Sequence, residues 1–114
     1  MLNDNYEIIV YELKGKLKEY FDNKIGTFIL SNQRNIPYPE FSLEFKLYNF
    51  YNIILNYDRG RFGCAILYCE SKGVGLPNSQ QWYDKDDLDI SVRELDEEIR
   101  LRIPDKYLKH YGWL

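Results

Sequence analysis

Four aspartates, Asp84, Asp86, Asp87 and Asp89, directly follow Trp82 and Tyr83. Clustered carboxylates can hold a divalent cation or share acid–base work. A calcium loop of the EF-hand kind runs D-x-D-x-D-G and places a glutamate at its twelfth position. Here the spacing differs and no glycine sits at the bend. The same residues suit another task. Trp and Tyr dominate protein interfaces, while carboxylates steer a basic partner and fix its register. Trp82, Tyr83, Asp84, Asp86, Asp87 and Asp89 are therefore the expected partner-binding patch. A small enzyme built on the clustered carboxylates is the alternative reading.

Other chemistry finds fewer parts. Cys64 and Cys69 fall in one apolar run, and five residues of strand separate their Cα atoms by roughly 16 Å on opposite faces. A disulfide needs Cα atoms within about 7 Å, so two thiols in a reducing compartment are expected. His110 is the single histidine. A Ser-His-acid triad or Cys-His pair would have to be built on that one imidazole near the chain end, and a Cys/His zinc site is short of ligands. No metal or cofactor is expected. Gly73-Val74-Gly75 lacks the Gly-Lys-Ser/Thr of a phosphate loop and reads as a flexible loop. Lys14, Lys16, Lys18 and Lys24 are the only basic cluster, and Glu12, Glu19 and Asp22 break it up in a chain of net charge −3. That balance argues against nucleic acid as the partner; a nucleic-acid module on the Lys14–Lys24 face would show steeply salt-dependent binding.

These residues must be positioned by elements the periodicity reveals. Ile9, Leu13, Leu17 and Phe21 recur every fourth position, widened by Tyr6, Val10 and Tyr20, as in a core-facing helix. Asn3 or Asp4 is the expected N-cap, with Glu7 completing a capping box, and Asn23 and Gly26 end the helix. Residues 25–30 read as a short strand, and 31–41, with Pro37 and Pro39, as a loop. Apolar residues then take the odd positions from Leu43 to Tyr57, interrupted at Asn49. This fits one bent strand or two strands with a turn near Tyr48–Asn52. Asp58-Arg59-Gly60-Arg61 is a hairpin turn. Residues 62–69, apolar on both faces, belong mid-sheet with a helix over at least one face. Residues 70–81 read as a polar loop. Ser91 offers an N-cap to a helix whose buried stripe is Val92, Leu95 and Ile99, and Pro104 separates it from a short final helix over 105–111. The expected fold class is α+β: an N-terminal helix, an antiparallel β-meander of three to four strands, a C-terminal helix and a short final helix. Length and order fit a single α+β domain over 1–114.

Composition sets the remaining bounds. Hydrophobic residues make up 45% of the 114 and charged ones 29%, which suits a packed globular chain. The acid-bearing start fails as a signal peptide, and no run approaches the ~20 apolar residues of a membrane span. No membrane contact and a cytoplasmic location are expected. Ala65 is the sole alanine and tyrosine reaches 11. AT-rich coding produces that bias, and a Tyr-rich binding surface would share it. Residues 84–98 hold eight acids against Lys85 and Arg93, a local charge of −6. Arg93–Glu97, Asp96–Arg100 and Glu98–Arg102 are spaced i,i+4 and should neutralise the helical part.

The run QWYDKDDLDISVRELDEEIRLRIPDKYL, in a small acidic chain, resembles the immunity proteins of bacterial polymorphic-toxin and contact-dependent growth inhibition systems. The resemblance is one of character over the whole length. It implies a cytoplasmic protein that binds a cognate toxin domain, often a basic nuclease, and blocks its active site or an essential surface. An adaptor or accessory protein of a mobile element is the competing reading from outside that class, and it predicts no toxic neighbour.

Overall fold

The computed structural model describes residues 5–69, 72–76, 81–83 and 87–114; for Tyr68, Cys69, Lys72, Gln81 and Trp82 it describes the backbone alone. The chain opens with α1 (Tyr6–Phe21), which buries Ile9, Val10, Leu13, Leu17 and Phe21 along one stripe, as the four-residue spacing predicts. Asn5 is its N-cap: its side chain accepts from the Ile8 amide, while Asn35 accepts from the Tyr6 amide at 2.8 Å. The expected caps, Asn3 and Asp4, lie outside the described residues. A 3-10 turn (Asp22–Lys24) ends the helix, and the Asp22 amide returns to the Lys18 carbonyl.

Among the described residues six strands follow: β1 (Ile29–Arg34), β2 (Glu40–Leu47), β3 (Tyr51–Asp58), β4 (Arg61–Cys69), β5 (Lys72–Gly75) and β6 (Gln81–Trp82). The first five form an antiparallel meander in sequence order, and β6 pairs with β4. The α+β class stands, with more strands than expected. The first strand starts four residues later than the sequence suggests, because Ile25 makes only an isolated bridge to Leu47. Residues 31–34, expected as loop, are the last four of the six residues of β1. The alternation from Leu43 to Tyr57 resolves into two strands. Tyr48 and Asn49 both take left-handed backbone (φ 56° and 52°) in the turn between them, which breaks the period where Asn49 interrupts it.

The supposed polar loop hides two short strands. β5 lies beside Ala65–Cys69 and β6 beside Arg61–Phe62, in succession along one edge of β4. Gly73 is needed there for closeness rather than for flexibility: a Cβ would come within 3.1 Å of the Ile66 carbonyl oxygen. Between them Leu76 donates its amide to the Cys64 carbonyl and is itself buried. On β4, Phe62, Cys64 and Ile66 are buried toward the helices, while Gly63, Ala65 and Leu67 face the other side half-buried. That second side is polar across the strands, with Ser42 donating to Asn56 Oδ1 at 2.6 Å.

Helix α2 (Leu88–Arg100) buries Leu88, Val92, Leu95 and Ile99. Its start lies four residues before the expected one, because Leu88 extends the buried stripe by a turn. Ser91 is thus inside the helix, its hydroxyl donating to the Asp87 carbonyl at 3.3 Å, and Asp87 is the N-cap residue. Helix α3 (Asp105–His110) follows Pro104 and buries Leu108. The buried side chains of α1, the sheet, α2 and α3 form one cluster. Sealing each fully buried Phe or Leu within it contributes about 1.5–3 kcal/mol.

Helices α1 and α2 lie on the same sheet face and run in the same direction. Three side chains on one flank of α1, a turn apart, show this. Glu12 accepts from the Tyr83 hydroxyl, Lys16 Nζ lies 2.8 Å from Asp89 Oδ1, and the Tyr20 hydroxyl donates to Asp96 Oδ2 at 3.0 Å. The partners ascend along the chain as the α1 residues do.

Candidate functional site

The expected patch divides once it is built in three dimensions. Tyr83 is half-buried, its amide donating to the Gly60 carbonyl at 2.7 Å and its ring set edge-on to Tyr57 and Phe62. With its hydroxyl on Glu12, Tyr83 is an internal strut beside the β3–β4 turn. Asp89 is exposed and pairs with Lys16; the hydrogen bond and charge of Asp89 push the Lys16 ammonium up from its ordinary value. Asp87 is exposed at the head of α2. Trp82 contributes backbone to β6 opposite Arg61, and Asp84 and Asp86 lie outside the described residues. Among the described residues no group of three His, Cys, Asp or Glu gathers closely enough to hold a metal ion.

The helical acids also split. Arg100 lies 3.8 Å from Asp96 and Arg102 3.1 Å from Glu98, as the i,i+4 spacing predicts. Arg93–Glu97 is not among the ion pairs of the described residues. Asp96 is not the surface partner it reads as in sequence. It is 4% exposed, and the hydroxyls of both Tyr20 and Tyr48 donate to its carboxylate. Burial first, then the hydrogen bond and charge of Asp96, drive the Tyr48 hydroxyl well above the usual tyrosine range, and Tyr20 moves the same way. This carboxylate ties the ends of α1 and α2 to the β2–β3 turn.

Cys64 sits in the core, where burial pushes its thiol up to about 12. Burial there favours the protonated thiol over the thiolate. The side chain of Cys69 lies outside the described residues, and His110 is exposed on α3 with its ring edge-on to Tyr111.

A different surface emerges at the opposite end of the sheet. An unbroken chain of rings runs Tyr20–Phe21–Tyr48–Trp113–Tyr111–Tyr107–Phe50–Tyr51, with neighbouring centroids 4.8 to 6.3 Å apart. Its middle is fixed from inside. Phe21 and Tyr48 are buried, and the Tyr107 hydroxyl donates to the Tyr48 carbonyl at 2.8 Å. The Tyr51 hydroxyl donates to the Arg102 carbonyl at 3.0 Å, holding the α2–α3 link against β3. Its outer part is open: Tyr111 is 47% and Phe50 38% exposed. Nearby, Leu101 (79%) and Leu114 (55%) flank a cleft of about 360 Å³, lined also by Glu97, Arg100, Asp105 and Leu108. Sequence reading missed this ledge, although the tyrosine count and the closely spaced Tyr107, Tyr111 and Trp113 signalled it. Chemically it offers rigid apolar rings beside two carboxylates and one guanidinium, the elements of a protein-contact surface.

No helix among the described residues is long and apolar enough to cross a membrane. The chain matches no protein-family model, no curated protein and no solved structure.

Proposed function

We propose that the chain is a non-enzymatic protein-binding inhibitor: a cytoplasmic immunity protein that neutralises a cognate toxin domain by forming a tight complex. The observation that carries this reading is the aromatic ledge, whose rings are braced from the core yet include exposed Tyr111 and Phe50. Rings already held in place lose little entropy on binding, which is what interface anchors require. The adjoining cleft offers a long cationic side chain an apolar wall at Leu101 and the carboxylates of Glu97 and Asp105, against one guanidinium, Arg100. A basic toxin supplies such side chains. The acid-rich run that resembles immunity proteins supports the same partner. Exposed Asp87 and Asp89, with Asp84 and Asp86 beside them in sequence, are its steering charges, and Trp82 and Tyr83 adjoin them in the chain.

The test is co-expression with the product of the neighbouring upstream gene, scoring growth and co-purification. Rescue of growth with a stable complex supports the proposal. A complex without toxicity to relieve moves the reading to an adaptor, and no complex at all overturns it. Within a complex, Tyr111→Ala or Leu101→Asp should weaken affinity at least about tenfold, as hot-spot truncations do. Reversing charge at Asp86 and Asp87 should slow association, most at low salt. Unchanged kinetics after that double reversal would remove the acidic segment from the interface.

A further inference from the structure

Two lysines of α1, Lys14 and Lys18, interleave with acids in sequence but separate from them in space. Glu12, Lys16 and Glu19 fall on the flank that meets α2, where Lys16 lies 2.8 Å from Asp89 and 4.0 Å from Glu19. Lys14 and Lys18, one turn apart, fall on the other flank. Their Nζ atoms stand 5.5 and 5.8 Å from the centroid of the Phe28 ring. Neither makes an ion pair among the described residues. Two ammonium groups gathered on one ring repel each other. The ring's quadrupole offsets part of that repulsion. An anion between them would offset the rest and accept charge-assisted hydrogen bonds from both.

The floor beneath them is fixed. The Gly26 amide donates to the Lys46 carbonyl at 2.9 Å, and the Phe28 ring packs edge-on to Phe45 with centroids 5.6 Å apart. Lys14, Lys18, Ile25, Gly26, Thr27 and Phe28 line an open cleft of about 460 Å³, larger than a bare oxyanion needs. Thr27 adds a hydroxyl to its lining.

We propose that this cleft binds a phosphate group, held by Lys14 and Lys18 over Phe28 and presented as free phosphate or on a mononucleotide. A phosphate offers more oxygens than a carboxylate for two ammonium groups and a hydroxyl to share. The site is separate from the aromatic ledge and stands or falls independently of it.

The test is an NMR titration of the full chain with inorganic phosphate at neutral pH and constant ionic strength, with AMP in a second arm. Saturable shifts centred on the Gly26, Thr27 and Phe28 amides are expected, with none from chloride. Lys14→Gln/Lys18→Gln should weaken binding at least about tenfold, the loss expected for charge-assisted hydrogen bonds. Equal midpoints for phosphate and AMP identify the phosphate alone as the ligand; a tighter AMP midpoint identifies a nucleotide. Shifts that never saturate, or a midpoint unchanged in the double variant, overturn the proposal. Thermal unfolding checks that the double variant is folded. If it is not, Lys18→Gln alone decides: a weaker midpoint supports the site and an unchanged one overturns it.

Discussion

Lys14 and Lys16 stand two residues apart on α1, yet they belong to different surfaces. Lys16 lies on a flank where Glu12, Lys16 and Tyr20 each reach a partner near or on α2. Lys14 and Lys18 occupy the opposite flank, over Phe28, with no carboxylate within ion-pair distance among the described residues. A helix turns 100° per residue, so charges spaced by two are thrown nearly to opposite sides. Neutrality along the chain is therefore no guide to neutrality on a surface. One flank of α1 is spent on holding the fold; the other is left with charge to offer.

If the α2-facing flank is structural, its variants should cost stability in proportion to burial. The largest loss is expected from Asp96→Ala, which strips two tyrosine hydroxyls of their acceptor and leaves Tyr48 buried without it; about 2–3 kcal/mol should disappear from urea unfolding. The same contact sets an alkaline limit. Folded Tyr48 and Tyr20 hold their protons above the unfolded value of 10.0, so their contribution is complete below pH 10 and lost as pH rises through the folded values. Tyr48→Phe should flatten that alkaline decline, read as unfolding midpoint against pH. Tyr83→Phe, which removes the hydroxyl that donates to Glu12, should cost about 1 kcal/mol. On the solvent side the sign reverses. A Cβ at Gly15 meets nothing within 4 Å, so Gly15→Ala should stabilise α1 by about 0.8 kcal/mol in the same assay. Lys16→Ala should have the smallest effect, visible at low salt and gone at high salt, since its pair with Asp89 is exposed. A Lys18→Ala loss as large as that of Asp96→Ala would erase the distinction between the flanks.

Local signals carried most of the fold. The Ile9–Leu13–Leu17–Phe21 spacing, the hairpin at 58–61 and the proline before α3 each act through neighbouring residues, and each is found where periodicity places it. Elements went unread where their cause is distant. Gly73 and Val74 make a strand only because β4 lies beside them, and their composition alone resembles a loop. Asp96 carries a helical surface spacing to Arg100, but its principal partners come from Tyr20 and Tyr48. The candidate surfaces follow the same rule. The Trp82–Asp89 run is conspicuous in sequence, yet Tyr83 turns inward. The ledge is assembled from Phe50, Tyr107, Tyr111 and Trp113, which no single window of sequence brings together.

The parallel seam between α1 and α2 also sets an order of events during synthesis. Its three links join residues 71, 73 and 76 positions apart, whereas the hairpins of the sheet pair close neighbours. As the chain leaves the ribosome, β2, β3 and β4 can zip as soon as each turn emerges. Helix α1, made before the sheet, must keep its apolar stripe waiting until Asp96 has emerged after the last strand. Helix α1 is thus translated ahead of the sheet and locked in place only after it. That interval leaves Leu13, Leu17 and Phe21 uncovered by α2, the period in which the nascent chain is most prone to self-association.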